Sequence, residues 1–162
     1  MRNGILAAAL LGCMTLALQA CGENPEPAES AKSSAEAIKG IEISDARLML
    51  APVAGNPAAI YFTLKNNGDS NIAFRSAEVD KAARAEIHDM MEMSGNMEMG
   101  EAPPVMVESA GEIAFEPGGK HIMVFDLPAD FGPGDSAKVT LIAAGNHRHS
   151  FEVTARAAGD DR

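Results

Sequence analysis

A chain of 162 residues with 13 Lys+Arg against 23 Asp+Glu carries a formal net charge of −10 at neutral pH. That balance argues against nucleic acid as a partner and against a polybasic grip on anionic lipid. Hydrophobic residues are 46% of the chain, enough for a single-domain core, but Trp is absent and aromatics are 4%, so Val, Ile, Leu, Ala and Met must do the packing.

Residues 1–20 read as a bacterial export signal, with Arg2 ahead of an apolar run from Ile5 to Leu18. That run is too short to be a comfortable membrane span. Leu18-Gln19-Ala20-Cys21 resembles a lipobox, which makes Cys21 the expected lipidation site. Leu10-Leu11-Gly12-Cys13 competes with it, and an ordinary secretory signal with an incidental cysteine is the plain alternative. With Cys13 in the leader and Cys21 acylated, the folded domain has no thiol. A disulfide, a thiolate nucleophile and a blue-copper site, which needs a Cys thiolate, are then all excluded. Residues 21–40 are rich in Pro, Ala, Ser and Glu and form an expected flexible tether.

From residue 41 the pattern is of short strands. Ile41-Glu42-Ile43 alternates, Arg47 to Leu50 follows, and Ala58 to Leu64 is rich in β-formers before the turn Asn66-Asn67-Gly68-Asp69. Further strands are expected at Asn71–Val79, Ala85–His88, Glu112–Phe115 and Lys120–Leu127. A last hairpin around Gly145-Asn146 joins Lys138–Ala143 to Ser150–Ala155. Many short strands separated by Gly/Pro turns predict an all-β antiparallel sandwich or barrel over 41–157, with 158–162 as a disordered tail.

The chemistry concentrates between residues 88 and 123. His88, Met99, His121 and Met123 follow the spacing H-x10-M-x21-H-x-M. Neutral imidazole and thioether donors suit a soft cation such as Cu(I), whereas hard cations want oxygen ligands. His121 and Met123, two apart on a strand, project from one face and turn Ile122 to the other. A core methionine and a structurally satisfied histidine would explain either residue alone, but not four matched positions. The stretch Asp89–Glu101 adds Met90, Met91, Met93 and Met97. If Ser94-Gly95-Asn96 is a hairpin tip, Met91 and Met93 share a face on one strand, as do Met97 and Met99 on the other, which makes a thioether-lined face backed by carboxylates. His147 and His149 read first as part of a solvated turn and second as an accessory Cu(II) site.

The four-ligand spacing, together with Ala59-Ile60-Tyr61-Phe62-Thr63-Leu64, Asn96-Met97-Glu98-Met99 and Pro117-Gly118-Gly119-Lys120-His121-Ile122-Met123, resembles the periplasmic copper chaperones called PCu(A)C. The resemblance spans roughly 45–156. It implies a cupredoxin-like Greek-key β-sandwich, Cu(I) held by His88, Met99, His121 and Met123, and a periplasmic location, while the lipobox at Cys21 makes a lipid anchor the sole membrane attachment expected. It also implies delivery to the CuA centre of cytochrome c oxidase, with a Sco-type copper protein as a further partner. The Trp usual on the first strand of that family is missing, and Leu48 or a neighbour is expected to fill its space. No hydrolytic triad or phosphate loop suggests an enzyme. Two other functions fit the same residues: a copper-sequestering lipoprotein without a recipient, and a metal-independent β-sandwich that grips a protein partner with its Met-rich loop.

Overall fold

A computed structural model describes residues 37–93 and 95–160 of the chain. The expected leader, Cys21 with its lipobox, most of the 21–40 tether and the last two residues lie outside the described residues. No helix among the described residues is long and apolar enough to cross a membrane.

Among the described residues ten strands follow one another: β1 (Ile41–Met49), β2 (Ala58–Asn66), β3 (Ile72–Val79), β4 (Arg84–Met93), β5 (Asn96–Glu101), β6 (Val105–Val107), β7 (Glu112–Phe115), β8 (His121–Phe125), β9 (Ser136–Ala143) and β10 (Arg148–Arg156). A single turn of 3-10 helix, Ala144–Asn146, links the last two. The strands pair in the order β5-β4-β8-β2-β1-β10-β9-β3-β6, and β7 pairs with β2 beside β8. This is the all-β sandwich that the strand count predicts.

Alternation builds the core. On β2, Ala58, Ile60, Phe62 and Leu64 point inward, and on β9 Ala137, Val139, Leu141 and Ala143 do the same. Phe62 stacks on Phe115 at 4.2 Å between ring centroids and meets Phe151 at 5.1 Å. The fully buried Val, Leu, Ile and Phe side chains among these each contribute about 1.5–3 kcal/mol. Leu48 on β1 is fully buried in the core. The Asn66 turn is more than a chain reversal. Its buried amide nitrogen donates to the Ser70, Val107 and Glu108 carbonyls, and its Oδ1 accepts from the Gly68 amide.

Three features depart from the expected layout. The two short segments at 41–43 and 47–50 are one strand, carried through a bulge where the register shifts between Ser44 and Arg47 and Asp45 takes a positive φ of 54°. The strand at 85–88 runs on to Met93, so His88 sits in mid-strand rather than at an end. The sheet is also not wholly antiparallel, because β1 and β10 pair in parallel, Arg47 opposite Thr154. Parallel neighbours cannot be joined by a hairpin. Here they are the first and last strands, and local periodicity carries no trace of which distant strand lies alongside.

Candidate metal centre

Three adjacent strands, β5, β4 and β8, position the candidate ligands. His88 on β4 lies directly opposite His121 on β8, and Glu86 lies opposite Met123. Ile87 and Ile122, between them, are buried in the core. Alternation therefore forces His88, His121 and Met123 onto the opposite, outer face. On the other side of β4, Glu101 of β5 faces His88 and Met99 faces Met90. Met99 shares the histidines' face one position diagonal to His88, with its side chain 52% exposed. The register thus brings all four predicted ligands to one surface.

Each imidazole is held by one nitrogen and free at the other. His121 Nδ1 donates to the Gly119 carbonyl at 2.9 Å, which leaves Nε2 with its lone pair. His88 Nε2 donates to Glu86 Oε2 at 2.9 Å, and its Nδ1 is buried with no hydrogen-bond partner. A buried acceptor left unmet costs about 1–3 kcal/mol, and a metal ion would meet it. Such outer hydrogen bonds set the tautomer and orientation of histidine ligands. The ring centroids are 5.9 Å apart. With metal–imidazole bonds of about 2.0–2.1 Å, rings at that separation can share one ion. Among the described residues no group of three or more His, Cys, Asp or Glu side chains is placed to hold a metal.

The surroundings fix this geometry. Glu86 is the orienting carboxylate, and the hydrogen bond from His88 holds its carboxyl below the ordinary range, with Arg84 acting in the same sense. Arg84 pairs with Glu86 and lies 3.7 Å over the Phe125 ring, close to His88. On the far side Tyr61 approaches His121 at 6.3 Å. Lys120 Nζ donates to Asp89 Oδ2 at 2.7 Å and ties the start of β8 to β4 beside the two histidines. Sequence reasoning missed Glu86, Gly119 and the Lys120–Asp89 pair. Glu86 had a readable signal, since it stands two residues before His88 on a strand and must share its face.

The Met-rich hairpin divides differently from expectation. Met93 pairs with Asn96, and Gly95 has a φ of 85°, as a two-residue hairpin connection requires. Met90, Met97 and Met99 lie on the histidine face, with Glu92 and Glu101. Met91, opposite Glu98, falls on the other face, where its methyl comes within 3.3 Å of the place a Cβ on Gly100 would occupy. The methionines therefore do not make one thioether surface, because residues an odd number apart on a strand cannot share a face. The Met93 side chain is outside what the structure describes.

His149 and His147 take separate roles. His149 is buried, and its Nδ1 accepts the Ile38 amide at 3.2 Å, so the neutral ring carries its proton on Nε2 and offers no spare lone pair. Burial pushes its pKa below the ordinary histidine value. His147 is exposed just past the 3-10 turn.

Comparison with known proteins places residues 41–155 under the LpqE-like family model, a lipoprotein family by its description. The protein RP573 of Rickettsia prowazekii (strain Madrid E) is 29% identical over 97 residues, which is 59% of this chain and 54% of that protein. The chain thus aligns with about half the length of this curated relative. Among solved structures, the apo PCuAC domain from PmoF1 superposes with a TM-score of 0.62 at 21% identity, covering 74% of this chain and 96% of that one. The copper-bound PCuAC domain from PmoF2 gives 0.60 at 15% identity, covering 76% and 97%. The CuI-DR1885 structure from Deinococcus radiodurans gives 0.57 at 21% identity, covering 81% and 86%. At these identities the likeness is one of fold, and it is the cupredoxin-like fold expected of the chain.

Proposed function

The chain belongs to the LpqE-like family, and on that premise we propose that it is a carrier of Cu(I) outside the cytoplasm. The observation that carries this reading is the buried, unpartnered Nδ1 of His88 beside His121, on a face that also bears Met123 and Met99. The bound ion is cargo, held by His88, Met99, His121 and Met123. Two neutral imidazoles and two thioethers favour Cu(I), and they disfavour Zn(II), which prefers thiolate, imidazole and carboxylate. None of these donors needs a thiolate deprotonation, so binding and release come at little proton cost. Glu86 and the Gly119 carbonyl keep both rings aimed without the ion, which reduces the reorganisation needed for capture. The copper-bound PCuAC domain from PmoF2 and CuI-DR1885, which share this fold, support the same cargo. Delivery to the CuA centre of cytochrome c oxidase, with a Sco-type thiol protein as exchange partner, is the destination we propose, and Cys21 is the proposed lipid anchor.

The test is a Cu(I) competition titration under reducing conditions. A His121→Ala, Met123→Leu double variant should lose more than about 100-fold in affinity, beyond the 10–100-fold typical when only an orienting residue is removed. Met123→Leu preserves side-chain bulk, and the far-UV spectrum checks the fold. Wild-type affinity in that variant sinks the proposed centre.

A further inference from the structure

The histidine face continues past the imidazoles onto the β4–β5 ribbon, and what it carries there is sulfur. Met90 lies directly opposite Met99, while Met97, opposite Glu92, lies diagonal to Met90. Directly opposed Cβ atoms in an antiparallel pair are about 4.5–5.5 Å apart and diagonal partners roughly 7–8 Å, distances that unbranched side chains can close. Met97 is 62% exposed and Met99 is 52% exposed, and β5 is the edge strand of the sheet. Packing does not account for such side chains, since core-filling methionines are buried. Glu92 and Glu101 stand on the same face, opposite Met97 and His88. Their carboxylates attract a cation to a surface whose nearest donors are thioethers.

We propose that Met90, Met97 and Met99 form a second, thioether-only site for a soft monovalent cation, contiguous with the histidine centre and sharing Met99 with it. Met91 is excluded by its place on the opposite face. The sharing of Met99 rests on the reading of the centre as a Cu(I) site, whereas the Met90–Met97–Met99 cluster rests on register and exposure alone. Lacking imidazole and open to solvent, this site binds more weakly and exchanges more readily than the centre. It therefore suits the first capture of an ion that passes inward by exchanging one sulfur at a time around Met99. No bond other than metal–ligand bonds changes, and the ion keeps its oxidation state throughout.

The experiment uses the full chain and two probes, Cu(I) under reducing conditions and Ag(I), which is equally soft and cannot change oxidation state in the assay. A His88→Ala, His121→Ala variant should still take up one ion. Its affinity should be level from neutral pH down to about pH 5, because thioethers do not titrate. Adding Met90→Leu and Met97→Leu should abolish that uptake. No uptake by the double-alanine variant, or uptake that survives the added leucines, overturns the proposal. Should the double-alanine variant fold poorly, wild type with labelled methionine methyls gives the answer. A second equivalent of Ag(I) should shift the Met90 and Met97 signals, and silence there overturns the proposal equally. Wild-type binding that ignores His88 and His121 would remove the centre while leaving the thioether site to be judged by the leucine variants.

Discussion

At the scale of single residues, the histidines differ by which nitrogen is engaged and by what engages it. Two imidazoles donate to oxygen and keep a lone pair, and these are the candidate ligands. One accepts from a backbone amide and has none to spare, and this is His149. A charged His149 ring would be desolvated, and a proton on Nδ1 would face the Ile38 amide hydrogen. Its folded-state pKa is lowered, so the unfolded chain binds this proton more readily. The associated stability is fully present above the unfolded value of about 6.5 and is lost as pH falls from there towards the folded value. Comparison with His149→Gln, whose amide oxygen can accept from Ile38 but does not titrate, isolates the effect. The wild-type melting temperature should fall relative to the variant as pH drops below about 6.5. Parallel curves across that range would show that His149 carries no burial cost. The Glu86 shift acts elsewhere on the scale, since a lowered carboxyl loses its contribution only as pH falls below the ordinary carboxylate range.

At the scale of elements, the β4–β5 hairpin and the Asn66 turn illustrate opposite uses of local sequence. The hairpin is nearly all register: once Met93 meets Asn96, the face of every methionine follows by parity. The turn is nearly all side chain, with one buried amide tying the end of β2 to the 66–70 loop and to β6. Removing that amide leaves the Val107 carbonyl without its buried partner and unties the Ser70 and Glu108 carbonyls and the Gly68 amide. Asn66→Ala should therefore cost about 2–4 kcal/mol. The shift in thermal midpoint should be on the order of 10 °C. A midpoint within a degree or two of wild type would mean that the network is dispensable.

At the scale of the whole molecule, the net charge of −10 bears on the proposed anchor. An acidic body has no electrostatic attraction to anionic lipid, so the proposal assigns any membrane attachment to acylated Cys21. Wild-type protein expressed with its leader should sediment with membranes, and Cys21→Ser should move it to the soluble fraction. Wild type found wholly in the soluble fraction would make the leader an ordinary secretory signal. A strain lacking the gene should lose oxidase activity under copper limitation if the protein delivers copper. If it only sequesters copper, the strain should instead become copper-sensitive.

The fold class was legible in the sequence because it rests on short-range pattern, and the proposed ligand set was suggested by its spacing. Alternation of apolar residues and Gly/Pro turns forces strands, and Glu112–Phe115 emerges with the predicted ends. His121 and Met123 share a face by the period of a strand alone. What depends on a partner far along the chain was not legible. The parallel pairing of β1 with β10, the diagonal placing of Met99 against His88, and the split of Met91 from Met90 and Met97 all follow from strand register, which a single strand does not encode. The same holds for His88, whose sequence neighbours suggested a strand end. Glu86 reaches one nitrogen from the same strand, but only the packed sheet leaves the other buried and unpartnered. A lone pair becomes a metal site through what surrounds it, and the tertiary fold decides those surroundings.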